Sequence, residues 1–206
     1  KHVNKILAGL ITCCVILLFS GCSPRQGEKH DFSIGKGTFL LDGKPFVIKG
    51  GDTYTRIPAE YWQHRIQMCK ALGMNTICIY AFWNIHEQKP GEFDFKGQND
   101  IAAFAGWQKE GMYIMLRPGP YVCSEWEMGG LLVAVEEGDI KLRTNDPYFL
   151  ERTKLFMNEI GKQLADLQVT RGGNIIMVQV ENEYGAYATD KAYIANIRDA
   201  DKSSRL

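Results

Sequence analysis

Near its carboxyl end the chain runs Asn174-Ile175-Ile176-Met177-Val178-Gln179-Val180 and passes directly into Glu181-Asn182-Glu183-Tyr184-Gly185. The first part is the apolar, β-branched pattern of a strand covered on both faces. With Gln179, the second part delivers two amides, two carboxylates and a phenol at the end of that strand. Burying such groups costs a few kcal/mol each unless they are hydrogen-bonded or paired. In a parallel barrel the carboxyl ends of the strands are where active sites are built, so this stretch constrains both the fold and the place of the chemistry.

The rest of the chain repeats the pattern. A hairpin is expected first, with Asp42-Gly43-Lys44 turning between Thr38–Leu41 and Pro45–Ile48. Val47–Tyr54 is the first candidate barrel strand. A helix follows from Pro58 to Gly73, with Trp62, Ile66, Cys69 and Leu72 at helical spacing. Thr76–Tyr80 is the second strand and Asp100–Glu110 the second helix. Tyr113–Leu116 is the third strand, running into Arg117-Pro118-Gly119-Pro120-Tyr121. Asp146 caps a third helix with Pro147 in its first turn and an apolar stripe of Leu150, Met157, Ile160, Leu164 and Leu167. Residues 193–198 read as the start of another helix.

Strands alternating with helices imply parallel βα units. A doubly wound open sheet is the competing fold. Against it, no glycine-rich phosphate loop follows the first strand, and each strand ends in polar or aromatic residues. The expected fold class is therefore α/β, a (β/α)8 TIM barrel. A complete one takes about 250 residues, so residues 37–206 are expected to supply only about its first four βα units.

The amino terminus is of another character. Lys1, His2 and Lys5 precede the uncharged, mostly apolar run Ile6–Ser20, which is short for a membrane span, and Ser20-Gly21-Cys22 closes it. That is the layout of a secretory signal. Its end resembles the cleavage box of bacterial lipoproteins, with Phe19 where Leu is usual. The expected division is a signal over residues 1–21, a lipid-anchored tether over 22–36 with Cys22 as the lipidation site, and the barrel half from 37. The localisation that follows is export, to the periplasm or to the outer membrane as a lipoprotein. Membrane contact would be through the anchor alone. Cys69, Cys78 and Cys123 are left in the folded part, an odd number without metal-ligand spacing, so neither a disulfide framework nor a metal site follows. The formal net charge is zero and no basic stripe is present, which argues against a nucleic-acid partner.

Glu183 at the end of the fourth strand is the candidate reacting group. Breaking a glycosidic bond takes a proton donor at the leaving oxygen and a second carboxylate across the anomeric carbon. Such a donor has to keep its proton near neutral pH, which calls for burial or a neighbouring negative charge, and Glu125 is the expected neighbour. Asn182 suits a sugar hydroxyl beside the reacting carbon. Glu181 reads as structural, and His86, Glu87 and Glu127 as braces for loops.

Gln179–Gly185 resembles the acid/base motif of glycoside hydrolase family 35, the β-galactosidases. Arg117–Gly130 is similar to that family's other long signature, and Trp83–Glu87 and Arg56-Ile57-Pro58 to shorter ones. The likeness runs from about Phe39 to Arg198. It implies that Glu183 is the general acid/base and that Asn182 contacts the sugar next to the reacting carbon. It implies that Tyr80 lines the galactose pocket, and that Cys123, Ser124 and Glu125 bind sugar hydroxyls. It implies a retaining two-carboxylate reaction on terminal β-D-galactosyl residues of an oligosaccharide or glycan, without cofactor or metal.

The chain departs from the family pattern in three places. Gly50-Gly51-Asp52-Thr53-Tyr54 is one residue short and lacks the usual His, which leaves the first strand's share of the pocket open. Leu132–Glu137 replaces a Pro, Trp and apolar run. The family's nucleophilic glutamate lies on a later strand, beyond residue 206, so the expectation is a fragment that hydrolyses poorly by itself. Two alternatives stand beside it: a lipid-anchored sugar-binding remnant without catalysis, and another exo-glycosidase on the same scaffold. Glu125 has a further alternative, an ion pair with Arg117.

Overall fold

A computed structural model of the chain describes residues 27–53, 56–106, 111–131 and 140–206. The expected signal, Cys22, Tyr54 and the Leu132–Glu137 stretch lie outside them. Three short strands come first: β1 (Phe32–Ile34), β2 (Phe39–Leu41) and β3 (Lys44–Phe46), an antiparallel sheet in that order. β2 and β3 are the expected hairpin. β1 corrects the sequence reading, which assigns these residues to the tether. Its three-residue length and its His, Gly and Lys neighbours hide it, but Phe32 stacks on Phe39 at 5.4 Å and meets Phe46 edge-on at 6.1 Å.

The main sheet is parallel throughout. Its strands are β4 (Gly50–Thr53), β5 (Thr76–Tyr80), β8 (Tyr113–Arg117) and β9 (Ile175–Val178), hydrogen-bonded in that order. A small antiparallel pair, β6 (Glu87–Lys89) and β7 (Glu92–Phe93), lies between β5 and β8 in sequence. The longer helices are α1 (Trp62–Ala71), α4 (Pro147–Leu164) and α6 (Lys191–Ser203). The short ones are α2 (Trp83–His86), α3 (Ile101–Ala105) and α5 (Tyr184–Tyr187). Consecutive parallel strands joined through helices are a partial (β/α) barrel.

Period-2 alternation sorts the side chains of β5 and β8, and an irregularity in the β8–β9 register between Ile114 and Met115 resets it in β9 between Ile175 and Met177. Ile77 and Ile79, Ile114 and Leu116, and Ile175 face the helices and share one core with Trp62 and Ile66 of α1, Phe104 of α3, Phe149, Phe156, Met157 and Ile160 of α4, and Tyr193 and Ile197 of α6. Trp83, wholly buried, stacks on Phe156 at 5.1 Å between centroids and 7° between planes. Each ring so buried contributes roughly 2–3 kcal/mol. The other face carries Asp52, Cys78, Met115, Arg117, Met177 and Gln179 around a cleft of about 350 Å³. The side of the sheet opposite the helices is therefore the one that holds polar groups.

Local signals explain the element boundaries. Asp146 accepts hydrogen bonds from the Tyr148 and Phe149 amides at 3.0 and 3.1 Å and starts α4. Asp100 does the same for α3 through Ala103 at 2.7 Å. Three boundaries differ from expectation. β4 begins at Gly50 and not at Val47, which is exposed. Leu72 lies beyond α1 and is exposed. α6 runs on to Ser203, because Ile197 and Ala200 continue its buried face against α4. Gly161 of α4 marks the closest approach, since a Cβ there would meet the Ser204 carbonyl oxygen at 2.1 Å.

Candidate active site at the carboxyl ends of the strands

Four strand ends meet through one chain of hydrogen bonds. The Tyr80 hydroxyl, at the end of β5, donates to Asp52 Oδ2 of β4 at 2.9 Å. Arg117, at the end of β8, donates through Nη1 to the Tyr80 hydroxyl at 2.5 Å and through Nη2 to Asn182 Oδ1, beyond β9. Its guanidinium also lies over the Tyr80 ring, 4.4 Å from the centroid. Burial, followed by the bond to Asp52, raises the Tyr80 phenol above its ordinary pKa, so it stays protonated. Burial and the nearby Asp52 push the Cys78 thiol up to about 11, which makes it a neutral wall residue.

β4 pairs in unbroken register with β5 and places Asp52 opposite Cys78. The first strand therefore does contribute to the cleft, through Asp52. The ion pair weighed for Glu125 does not form, since Arg117 is committed to Tyr80 and Asn182.

The turn after β9 sends three adjacent side chains into three surroundings. Glu181 is buried and accepts four hydrogen bonds: from Arg143 Nε at 3.0 Å, Arg143 Nη2 at 2.7 Å, the Tyr193 hydroxyl at 2.8 Å and the Asn182 amide at 2.7 Å. Asn182 is buried too, and its carbonyl accepts from Arg143 Nη2 at 2.7 Å. Glu183 is exposed, and its carboxylate has no hydrogen-bond partner among the described residues, while its carbonyl accepts from the Ala186 amide at 3.0 Å. Glu181 and Glu183 both hold left-handed backbone, with φ of 61° and 48°. The covering expected around Glu183 is not supplied by these elements: it stands exposed at the amino end of the short helix α5.

Arg143 holds this turn from a loop before α4. Its guanidinium lies 4.0 Å from the Tyr121 centroid and 4.1 Å from that of Tyr187, and Tyr184 donates its hydroxyl to the Arg143 carbonyl at 3.1 Å. Burial works against its charge, but the hydrogen bonds and charge of Glu181 hold its pKa above the ordinary value. The same burial and carboxylate raise the Tyr193 phenol.

Cys123, Ser124 and Glu125 form a third piece. All three have left-handed backbone, at φ 60°, 54° and 46°. Arg56 donates to the Ser124 carbonyl and, at 3.4 Å, to that of Glu125. It also lies over the Trp126 ring at 5.4 Å. Trp126 in turn donates to Asn84 at 3.1 Å. Gly129 keeps Tyr121 in place, since a Cβ there would fall 2.0 Å from the ring. The Glu125 side chain is exposed, so its carboxylate is available to a ligand. Glu87 is instead wholly buried, paired with Arg152 and accepting from Trp83 Nε1 at 2.5 Å and the Gly91 amide at 2.6 Å, a brace for its loop.

Of the residues expected at the site, Tyr80 and Asn182 are joined through Arg117. Cys123, Ser124 and Glu125 sit on a separate turn, and Glu183 stands at the outer edge. The bridging of Arg117 and the anchoring by Asp52, Arg143 and Tyr193 were not legible in the sequence. Only the Gly-Gly-Asp ending of the first strand gave a sign of one of them.

The pattern described as glycosyl hydrolases family 35 matches residues 38–205. A β-galactosidase of Xanthomonas manihotis is 46% identical over 163 residues, covering 78% of this chain and 27% of that protein. The human β-galactosidase-1-like protein 2 is 43% identical over 165 residues, covering 79% of this chain and 26% of its own length. The chain thus spans about a quarter of the length of these relatives. Among solved structures, GH5_18 of Streptomyces cattleya in complex with GlcNAc superposes with a TM-score of 0.60 at 14% identity, covering 76% of this chain and 42% of the other. The exo-beta-1,4-mannosidase Op5Man5 of an Opitutaceae bacterium gives 0.54 at 18%, covering 79% and 30%. At these identities the structures speak for the fold alone.

Proposed function

The chain belongs to glycosyl hydrolases family 35, and we propose that its strand ends form the acid/base half of a retaining site for terminal β-D-galactosyl residues. The observation that carries this reading is the sorting of the two glutamates after β9. Glu181 is consumed by Arg143, Tyr193 and a backbone amide, whereas Glu183 is open to solvent two residues away. Only Glu183 of the pair is free to meet a substrate.

In the proposed reaction Glu183 gives its proton to the leaving glycosidic oxygen while a second carboxylate of the complete barrel attacks the anomeric carbon. Deprotonated Glu183 then takes a proton from the water that releases the sugar. Asn182 faces the hydroxyl beside the reacting carbon. The exposed carboxylate of Glu125 accepts from sugar hydroxyls, as a charged acceptor of two donors does well. Tyr80 walls the pocket with its ring, and the Cys123-Ser124 turn offers backbone groups.

The assay is kcat/KM, which reports the steps up to loss of the leaving group, for wild type and Glu183→Gln on two galactosides, one with a poor leaving group and one with dinitrophenolate, which departs without a proton. The poor leaving group should lose roughly 10²–10⁴-fold and the dinitrophenyl compound far less. Equal losses on both would refute the role of Glu183. Galactose binding by a wild type without turnover would favour the sugar-binding reading.

We also propose that the chain is exported and lipid-anchored through Cys22, on the basic start, the apolar run and Ser20-Gly21-Cys22. Palmitate labelling in a bacterial host should be lost in Cys22→Ser. Labelling that persists in that variant would refute the anchor.

A further inference from the structure

The chain of hydrogen bonds across the four strand ends has forced directions. Asp52 as a carboxylate only accepts, so the Tyr80 proton points to it. The Tyr80 oxygen is then left to accept from Arg117. A guanidinium has donors and no acceptor, so the Asn182 atom facing Arg117 has to be Oδ1 and not Nδ2. Gln179 Nε2, 3.4 Å from the same oxygen, approaches from a second side. Asn182 Nδ2 has no partner among the described residues, although the residue as a whole is 6% exposed.

We propose that Arg117 is a positioning residue that locks the Asn182 amide in one orientation, so that Asn182 offers a sugar a hydrogen-bond donor and never an acceptor. The sugar hydroxyl beside the reacting carbon must then accept from Nδ2 and direct its own proton elsewhere. Without Arg117 only the long 3.4 Å contact from Gln179, whose Nε2 is already bonded to the Glu181 carbonyl, opposes a flip of the amide, and each orientation presents a different group. The Arg117 side chain acts entirely through its neighbours. One end of its fork is anchored by Tyr80 and Asp52, and the other end fixes Asn182. The sugar part of this proposal rests on the galactoside reading above; the amide part does not.

The test has one readout with sugar and one without. The first is calorimetric affinity for D-galactose and for 2-deoxy-D-galactose, which lacks the hydroxyl in question. Wild type should prefer galactose by roughly tenfold, the worth of one well-placed hydrogen bond. Asn182→Ala should abolish the preference. Arg117→Met should reduce it to about twofold or less, and the double variant should match Asn182→Ala. A preference that survives Arg117→Met overturns the proposal. So does a further fall in the double variant, because Arg117 would then act by another route.

The second readout is the side-chain amide signal of Asn182 in ¹⁵N-labelled protein, identified by its loss in Asn182→Asp. It should shift in Arg117→Met toward the position of a solvent-exposed asparagine. In Tyr80→Phe, where Arg117 keeps its bond to Asn182, it should stay near its wild-type position. An unmoved signal in Arg117→Met overturns the proposal. If that variant does not fold, Arg117→Lys takes its place; it keeps the charge but cannot span both partners, and the same outcomes decide. A wild type that binds neither sugar overturns the galactoside reading, and the amide signal still decides the role of Arg117.

Discussion

Glu181 and Glu183 stand two residues apart, and replacing each by glutamine should have opposite consequences. Glu181→Gln preserves size and removes the charge opposite Arg143. Each Glu181 oxygen now receives two donors, Arg143 Nε and Tyr193 at one, Arg143 Nη2 and the Asn182 amide at the other. A glutamine NH₂ in the second position would face two donors. In the first it faces Arg143 Nε and a phenol that can rotate to accept, so that orientation is chosen and one bond to Arg143 is lost. The guanidinium, 7% exposed in Arg143 as a whole, is left without its counter-charge. Breaking a buried pair in this way costs about 3–5 kcal/mol. For a chain of this size, that lowers Tm by roughly 6–20 °C. Glu183→Gln changes an exposed side chain and should stay within about 0.5 kcal/mol of wild type. Urea unfolding followed by circular dichroism measures both variants. A Glu181→Gln loss below about 1 kcal/mol, or one no larger than that of Glu183→Gln, would refute this reading of the turn.

Further outcomes follow from other parts of the fold. Asp201 is buried with neither carboxylate oxygen partnered, and burial pushes its pKa from 3.8 up to about 7. The folded state holds this proton more tightly than the unfolded chain does. The contribution to stability is therefore fully present below about 3.8 and lost as pH rises through about 7, a change of order 4 kcal/mol. Urea midpoints between pH 4 and 8 should fall for wild type and stay nearly flat over that range for Asp201→Asn. Gly161→Ala drives a methyl into the Ser204 carbonyl and should cost about 1–3 kcal/mol by thermal unfolding. Asp146→Ala removes the acceptor for two amides at the start of α4 and should cost about 1 kcal/mol in the same measurement.

The strands that carry the sheet were plain in the sequence because each is an apolar run of strand length bounded by glycine or polar residues. β5, β8 and β9 lie where that pattern places them. The start of α4 was equally plain, since Asp146-Pro147 is a local signal that needs no tertiary context. β1 was not legible, because three residues give no period, and its stability comes from Phe39 and Phe46. The end of α6 was hidden by the polar run of residues 198–204, in which only packing against Gly161 shows that Ala200 and Asp201 face inward. At the site, motif residues announced Asn182 and Glu183, but Arg143 lies 38 positions before Glu181 in a loop with no periodicity. Its role is a matter of the fold and not of any nearby residue. The link from Arg117 to Asn182 spans 65 positions and was hidden for the same reason.

The left-handed turns bear on how this protein would respond to selection. Cys123, Ser124, Glu125, Glu181 and Glu183 hold a backbone conformation that costs an ordinary residue on the order of 1–2 kcal/mol and glycine almost nothing. A mutant library screened for heat resistance alone would therefore enrich glycine at Cys123, Ser124, Glu125 and Glu183, but not at Glu181, where loss of the buried pair with Arg143 outweighs the backbone gain. Each such change would remove a carboxylate, hydroxyl or thiol from the strand ends. Thermal selection and the proposed sugar chemistry thus pull these codons in opposite directions. Counting glycines at positions 123–125 and 183 after such a screen would show which of the two had been allowed to act.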